Sequence, residues 1–221
     1  MAEADKEFKW IGTRTIRPDG VDKVTGHATF GADFTLPGML TGKILRSPHA
    51  HARIVSIDTA KAEAVPGVKS VVTSADFPEI TRENAIKGES PPNFHDLSKN
   101  VMARGKVFYD GHPVAAIAAT TTAAADAAIA LIEVEYEILP HVIDVDEAMK
   151  PDAPVLHDDL FTAGVDPKPT TASNIAKRIE FSKGDIEDGF AKADVIVEKS
   201  FTTKPVHQGY IEPHAVVANV A

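Results

Sequence analysis

Residues 36–54 constrain the fold more than any other part of the sequence, because a proline interrupts an otherwise strand-like run. The letters of this stretch are LPGMLTGKILRSPHAHARI. The Pro-Gly pair near its start is typical of a turn. Pro48 has no N–H to donate, so it cannot occupy a ladder position in a central strand. The pattern therefore predicts a strand over residues 42–46, a break around Pro48 and a second strand over residues 52–57.

Turn residues and hydrophobic periodicity predict the other elements. The segment 22–33 alternates apolar residues with two glycines and predicts a short, kinked strand. Residues 113–119 (PVAAIAA) predict a central strand of small apolar side chains, and Thr121 or Thr122 is a candidate N-cap for the alanine-rich helix that follows. Further strands are predicted over 68–73, 107–109, 133–138, 195–201 and 215–221, and helices over 59–65, 121–132 and 185–193.

The strand predicted over residues 133–138 alternates strictly between acidic and apolar side chains. Val134, Tyr136 and Ile138 are expected to face the core. The three glutamates between them then face water. This alternation favours a solvated strand face over a catalytic or metal-binding acidic cluster.

These elements indicate an α+β chain with two domains. An N-terminal arm over 1–16 precedes a first domain over 17–147, and a proline-containing linker over 148–175 leads to an incomplete second domain over 176–221. Residues 74–105 show no sustained period. A connection of this kind can cover a substrate funnel, form a subunit contact or simply cross the surface.

Composition excludes several classes of function. The net charge of −9 argues against a nucleic-acid-binding surface, which is normally basic. No apolar run approaches the ~20 residues that span a bilayer, and the charged N-terminus lacks the apolar region of a secretory signal. With no cysteine, the chain itself can form no disulfide and ligate no iron–sulfur cluster. A cytoplasmic location is therefore expected.

Two histidine-containing clusters are candidates for a functional site. His49 and His51, if on one strand, would place both imidazoles on the same face, as in some metal sites. No third ligand stands at a suitable distance, and Arg46 and Arg53 would repel a cation. A hydrogen-bonded fold element or polar interface is therefore favoured over a metal site, and no catalytic residue or metal ligand is assigned.

The second cluster is HQGYIEPH, residues 207–214. Polar donors and acceptors gathered around a glycine and a proline suit either a buried structural network or the wall of a site. The candidate contacts to a cofactor or substrate funnel are His207, Gln208, Tyr210 and Glu212.

Several long motifs, in this order, resemble one protein family. They are RPDGVDKVTGHATFGAD, LPGMLTGKILRSPHAHARI, AVPGVKSVVTSAD and GHPVAAIAA, followed by IEVEYEILPHVID. Over roughly residues 14–147 they resemble the α/β-hammerhead domain, which opens the molybdopterin-binding subunit of the xanthine dehydrogenase and aldehyde oxidase family. The later stretch from GDIEDGF to HQGYIEPHAVVA looks like the start of the first molybdopterin-binding domain of that subunit.

The resemblance implies a molybdenum hydroxylase that oxidises a heteroaromatic or aldehyde substrate with water as the oxygen source. It implies a molybdenum–molybdopterin cofactor in its cytosine dinucleotide form, held mainly by a partner chain that carries the remainder of the subunit. It also implies an iron–sulfur subunit and an FAD-binding flavin subunit in a hetero-oligomer. The Gly-rich loop and catalytic glutamate of the family have no counterpart here, so the chain is expected to be a structural portion that is inactive alone.

A different class of function stays open at this point. The chain could be a free-standing hammerhead module without redox chemistry. Its final apolar strand would then add to the sheet of a partner.

Overall fold

The structure is a computed structural model that describes residues 9–81 and 94–220. The described residues form two packed units. One is Gly38–Val197, which contains both β-sheets, and the other combines residues 9–37 with residues 198–220. The mixture of helices and strands confirms the α+β class.

The elements follow one another in a mixed order. The strands are β1 Thr41–Arg46, β2 Ala52–Asp58, β3 Val68–Thr73, β4 Lys106–Val107, β5 Pro113–Ala119 and β6 Glu133–Ile138. The α-helices are α1 Gly20–Thr25, α2 Ala60–Glu63, α3 Phe94–Val101, α4 Thr122–Ile129, α5 Val145–Ala148 and α6 Ile186–Ala191.

The strands form two antiparallel sheets of three strands each. The first sheet has the order β1-β5-β3, so β5 is central as its small apolar sequence predicts. The second has the order β4-β2-β6. The predicted break at Pro48 is confirmed, and it is also the point where the chain passes from the first sheet to the second, because β1 and β2 belong to different sheets.

Helix α4 covers one face of the first sheet. Thr121 is its N-cap, and the Thr121 hydroxyl accepts a hydrogen bond of 3.1 Å from the backbone N–H of Ala124. Ala125 and Ala128 are completely buried against the side chains of β5. Alanine favours the helix and leaves no bulk between helix and strand, so the two can approach closely.

A second apolar cluster lies between the sheets and the segment before β4. Its fully buried members are Ala52, Ala103, Val107 and Val114. Ile57 and Val134 pack against both this cluster and the one beneath α4. The core of the larger unit is therefore continuous from one sheet to the other.

The turn between α2 and β3 fits closely against the start of α4. Gly67 has a φ of +97°, and a Cβ there would lie 2.8 Å from the Thr120 hydroxyl oxygen. The backbone N–H of Thr120 donates to the carbonyl of Gly67 over 2.9 Å. Glycine is required here both by the positive φ and by the close approach.

The strand predicted over residues 22–33 is wrong. The structure has helix α1 at Gly20–Thr25 and a short 3₁₀ turn at Gly31–Asp33. Gly26 ends α1 in the left-handed conformation, with its N–H donating to the carbonyl of Asp22. The alternation of apolar residues was misleading. Residues 20–25 are helical, their backbone pairs with no strand, and the apolar side chains of α1 are exposed.

The strands predicted over residues 195–201 and 215–221 are also wrong within the part of the chain that the structure describes. Residues 195–220 form no ladder there, and their side chains are exposed. A strand needs a partner for its backbone groups, and the described residues supply none to this segment. Helix α6 is confirmed but shorter than predicted, with the Asp185 carboxylate accepting from the N–H of Asp188.

Two further predictions need correction. Residues 94–101, placed in a stretch without regular structure, form helix α3, while residues 82–93 of that stretch lie outside the described residues. In β6, Val134 and Tyr136 are partly buried and the three glutamates are exposed, as predicted. Ile138, however, is 69% exposed, because the strand ends there and the chain leaves the core.

Candidate functional site

The predicted contact residues lie in an exposed turn at residues 207–214. The rings of His207 and Tyr210 have centroids 4.8 Å apart, and those of Tyr210 and His214 are stacked at 5.0 Å. Gly209, with a φ of +70°, donates its backbone N–H to Nδ1 of His207 over 3.1 Å. Glycine adopts the left-handed conformation of this turn, and the Tyr210 ring contacts both histidine rings, tilted against His207 and stacked on His214.

The structure does not confirm a buried polar network in this turn. Tyr210 is 48% exposed, and Gln208 and Glu212 are exposed without a hydrogen bond to any described residue. The turn therefore offers an amide, a carboxylate and a phenol whose donors and acceptors remain available. The assignment of His207, Gln208, Tyr210 and Glu212 to a cofactor or substrate funnel stays a prediction.

His49 and His51 do not share a strand face. Both precede β2, and the His49 ring meets Tyr136 edge-on at 4.9 Å. The His51 ring is nearly parallel to that of Phe108 at 6.2 Å. His51 is only 4% exposed, and its Nδ1 donates to the carbonyl of Pro140 over 2.6 Å. Its Nε2 is buried and has no hydrogen-bond partner among the described residues.

Hydrogen bonds explain why the segment around Pro48 holds its shape. Ser47 exchanges backbone hydrogen bonds with the turn before β5, accepting from Gly111 and donating to the carbonyl of His112. The guanidinium of Arg46 donates to the carbonyl of Gly111 over 2.8 Å. Burial raises the pKa of Tyr136, and a hydrogen bond with Ser47 opposes that shift. This is the hydrogen-bonded fold element that the sequence favoured.

No group of three or more His, Asp or Glu side chains in residues 9–81 and 94–220 could hold a metal ion. The turn at 207–214 lies open to solvent and does not enclose a cofactor-sized space. The turn alone therefore does not form a closed cofactor site.

His112 has a structural role that its sequence context did not reveal. It directly follows the turn at Asp110 and Gly111, and it is fully buried. Its Nε2 donates to the carbonyl of Lys99 over 2.7 Å, and its Nδ1 accepts from the N–H of Phe108. These partners fix a neutral imidazole, and burial lowers its pKa. The sequence signal for this burial was the position of His112 directly before the apolar run of β5.

A second buried histidine, also missed, joins α3 to the segment after α5. Nε2 of His95 lies 2.7 Å from a carboxylate oxygen of Asp159, and the ammonium of Lys99 lies 2.9 Å from the same oxygen. Nδ1 of His95 lies 2.5 Å from the carbonyl oxygen of Ile80. The pairing spans more than sixty positions, so no local pattern could predict it.

An apolar groove of about 430 Å³ lies between α3 and the residues after β3. Arg104 closes one side, because its guanidinium donates to the carbonyls of Ser74 and Phe77. The other side chains that line it are mainly apolar: Pro78, Ile80, Phe94, Leu97, Ser98, Val101 and Met102.

Two protein-family profiles match the chain in succession. The profile of the aldehyde oxidase and xanthine dehydrogenase a/b hammerhead domain matches residues 25–140, more than half of the chain. The chain belongs to the aldehyde oxidase and xanthine dehydrogenase family. A second profile, that of the molybdopterin cofactor-binding domain, matches residues 168–221. The family resemblance seen in the motifs is thereby confirmed, as is its link to molybdopterin-dependent oxidoreductases.

Relatives in this family match nearly the whole chain. It is 37% identical to a probable xanthine dehydrogenase subunit of Bacillus subtilis, over 92% of this chain and 24% of that protein. It is also 37% identical to the gamma subunit of the 6-hydroxypseudooxynicotine dehydrogenase complex of Paenarthrobacter nicotinovorans, over 98% of this chain and 26% of that protein. The chain thus spans about a quarter of the length of these relatives.

A solved structure of a CO dehydrogenase shows the same fold. Reconstituted CO dehydrogenase from Oligotropha carboxidovorans superposes with a TM-score of 0.62 at 35% identity, over 83% of this chain and 22% of that chain. Among the residues that the structure describes, no helix is long and apolar enough to span a membrane.

Proposed function

We propose that this chain is a structural portion of the molybdopterin subunit of a molybdenum hydroxylase. The assembled enzyme would oxidise a heteroaromatic or aldehyde substrate and take the added oxygen from water. The observation that carries the proposal is the succession of a hammerhead domain and the start of a molybdopterin-binding domain in one chain. Relatives that match over both regions are named as xanthine dehydrogenase and carbon monoxide dehydrogenase chains.

The chain would contribute shape and subunit contacts, and the bulk of the cofactor site would lie elsewhere in the assembly. When bound, the molybdenum–molybdopterin cytosine dinucleotide supplies the redox chemistry. A chain carrying the remainder of the subunit would hold it, and iron–sulfur and FAD-binding subunits would complete a hetero-oligomer. This arrangement is supported by a relative named as one subunit of a dehydrogenase complex. A cytoplasmic location is proposed for this assembly.

The turn at residues 207–214 is the part of this chain that we expect to face the cofactor or the substrate funnel. Gln208, Tyr210 and Glu212 keep hydrogen-bonding groups free among the described residues, so they can pair with polar atoms of an apposed molecule. The tilted ring contact with Tyr210 and the hydrogen bond from Gly209 orient the His207 ring.

The test is purification from the native host through an affinity tag on this chain. We expect partner polypeptides that carry the rest of the molybdopterin subunit, identified by mass spectrometry, with molybdenum and iron measured in the same sample. A stable chain that purifies alone and without metal would contradict the proposal and favour a hammerhead module without redox activity.

A further inference from the structure

One face of the first sheet is left bare among the described residues. Strand pairing aligns Ile44 with Ala116 and Ala116 with Val72, and it aligns Gly42 with Ala118 and Ala118 with Ser70. Because side chains alternate along a strand, all six positions share the face opposite α4. We call this surface the bare face: Gly42, Ile44, Ser70, Val72, Ala116 and Ala118.

The bare face is uncharged and mainly apolar, with Ser70 as its polar member. Ile44 is 47% exposed, Gly42 and Ser70 are exposed, and the other three positions are partly exposed. The next residue of β5 on this side, Val114, is instead fully buried in the second apolar cluster. The second apolar cluster therefore covers β5 only at Val114, and the apolar side chains of Ala116 and Ala118 on the same side are left uncovered by the described residues.

The second sheet shows what a water-facing surface looks like in the same molecule. Glu137 pairs with Arg53 at 2.9 Å across β6 and β2, and Glu135 accepts a hydrogen bond from Ser56. Glu133 pairs with Lys61 just beyond. Antiparallel sheets normally keep their solvated face polar. The second sheet follows this rule except at Val55, where the pairing of β2 with β6 is irregular, whereas the bare face departs from it along all three strands.

We propose that the bare face is the docking surface for the molybdopterin-binding remainder of the subunit. The inference rests on the proposed function and adds to it the surface through which this chain contacts the remainder of the subunit. Relatives are about four times as long as the chain, which provides an occupant of sufficient size. Gly42, Ala116 and Ala118 leave the sheet backbone accessible, so an apolar partner surface can approach closely.

Charge argues against a second copy of the chain as the occupant. Each copy carries a net charge of −9, so two copies brought face to face repel each other. An uncharged apolar surface on a different part of the subunit meets no such penalty.

The chain offers a sharp experiment because it contains no cysteine. Ile44→Cys and Val55→Cys each introduce the only thiol of this chain, both at exposed strand positions. Val55 lies on β2 and is 54% exposed, against 47% for Ile44, so it is a matched control outside the bare face. Each variant is purified as the assembled protein through the tag, and the rate of maleimide labelling at residues 44 and 55 is followed by peptide mass spectrometry.

We expect labelling at Ile44→Cys to be at least tenfold slower than at Val55→Cys in assemblies that contain molybdenum and the remainder of the subunit. Equal rates in such assemblies would overturn the docking surface while leaving the proposed function intact. Protection at residue 44 in a metal-free homo-oligomer would assign the face to a second copy and overturn the inference. A solitary chain without metal would remove the proposed function, and the inference with it.

Discussion

His112 couples the stability of the fold to pH. Its burial lowers the pKa of the imidazole below the ordinary value, which is about 6.5 in the unfolded chain. Below that pH the unfolded chain therefore binds more protons than the folded one. The free energy of unfolding contributed by His112 is complete above the ordinary histidine value and declines as the pH falls below it.

We predict that His112→Gln removes this contribution to the pH dependence. One proton changes the slope by up to about 1.4 kcal/mol per pH unit. Urea unfolding at several pH values between 5 and 8 (a range of about three units around the ordinary value) measures the slope. The His141→Gln variant, at an exposed position, is the matched histidine-to-glutamine control. An unchanged slope in His112→Gln would contradict the assigned role, even if that variant is less stable overall.

Helix α4 is held by close contact with β5, and this predicts a sharp difference between neighbouring alanines. Ala128 is completely buried, whereas Ala127 is exposed. We expect Ala128→Leu to lower the free energy of unfolding by about 1–3 kcal/mol, because a larger side chain forces helix and sheet apart. Ala127→Leu should change it by less than about 0.5 kcal/mol. Urea denaturation of both variants tests this, and similar effects would show that α4 does not pack as described.

The sequence predicted elements best where local chemistry determines them. Thr121 and Thr122 were both candidate caps, and only the geometry distinguishes Thr121 as the one that accepts from Ala124. The break at Pro48 was predictable because proline lacks a donor. Helix α3 and the buried pairing of His95 with Asp159 were not, since they depend on residues far apart in the chain. The turn at 207–214 was recognised as polar, but its exposure could not be read from its letters.

The whole molecule divides into a paired and an unpaired part, and protease sensitivity should follow that division. Lys43 lies in β1, which is hydrogen-bonded to β5 along its length, whereas Lys199 lies in the exposed segment without a ladder. We predict that limited trypsin digestion of the purified chain cuts at Lys199 well before Lys43, because proteases need accessible, extended backbone. Mass spectrometry of early fragments provides the order, and early cleavage at Lys43 would contradict the pairing.

The contrast between the charged face of the second sheet and the bare face also has a consequence for when the chain and its partner are synthesised. A chain that waits alone holds apolar surface in water, and self-association of such chains accelerates as their concentration rises. A chain whose bare face is bound to its partner can no longer self-associate through that face. We therefore expect synthesis of this chain to keep pace with synthesis of whatever covers it, because a surplus leaves the bare face exposed and favours self-association.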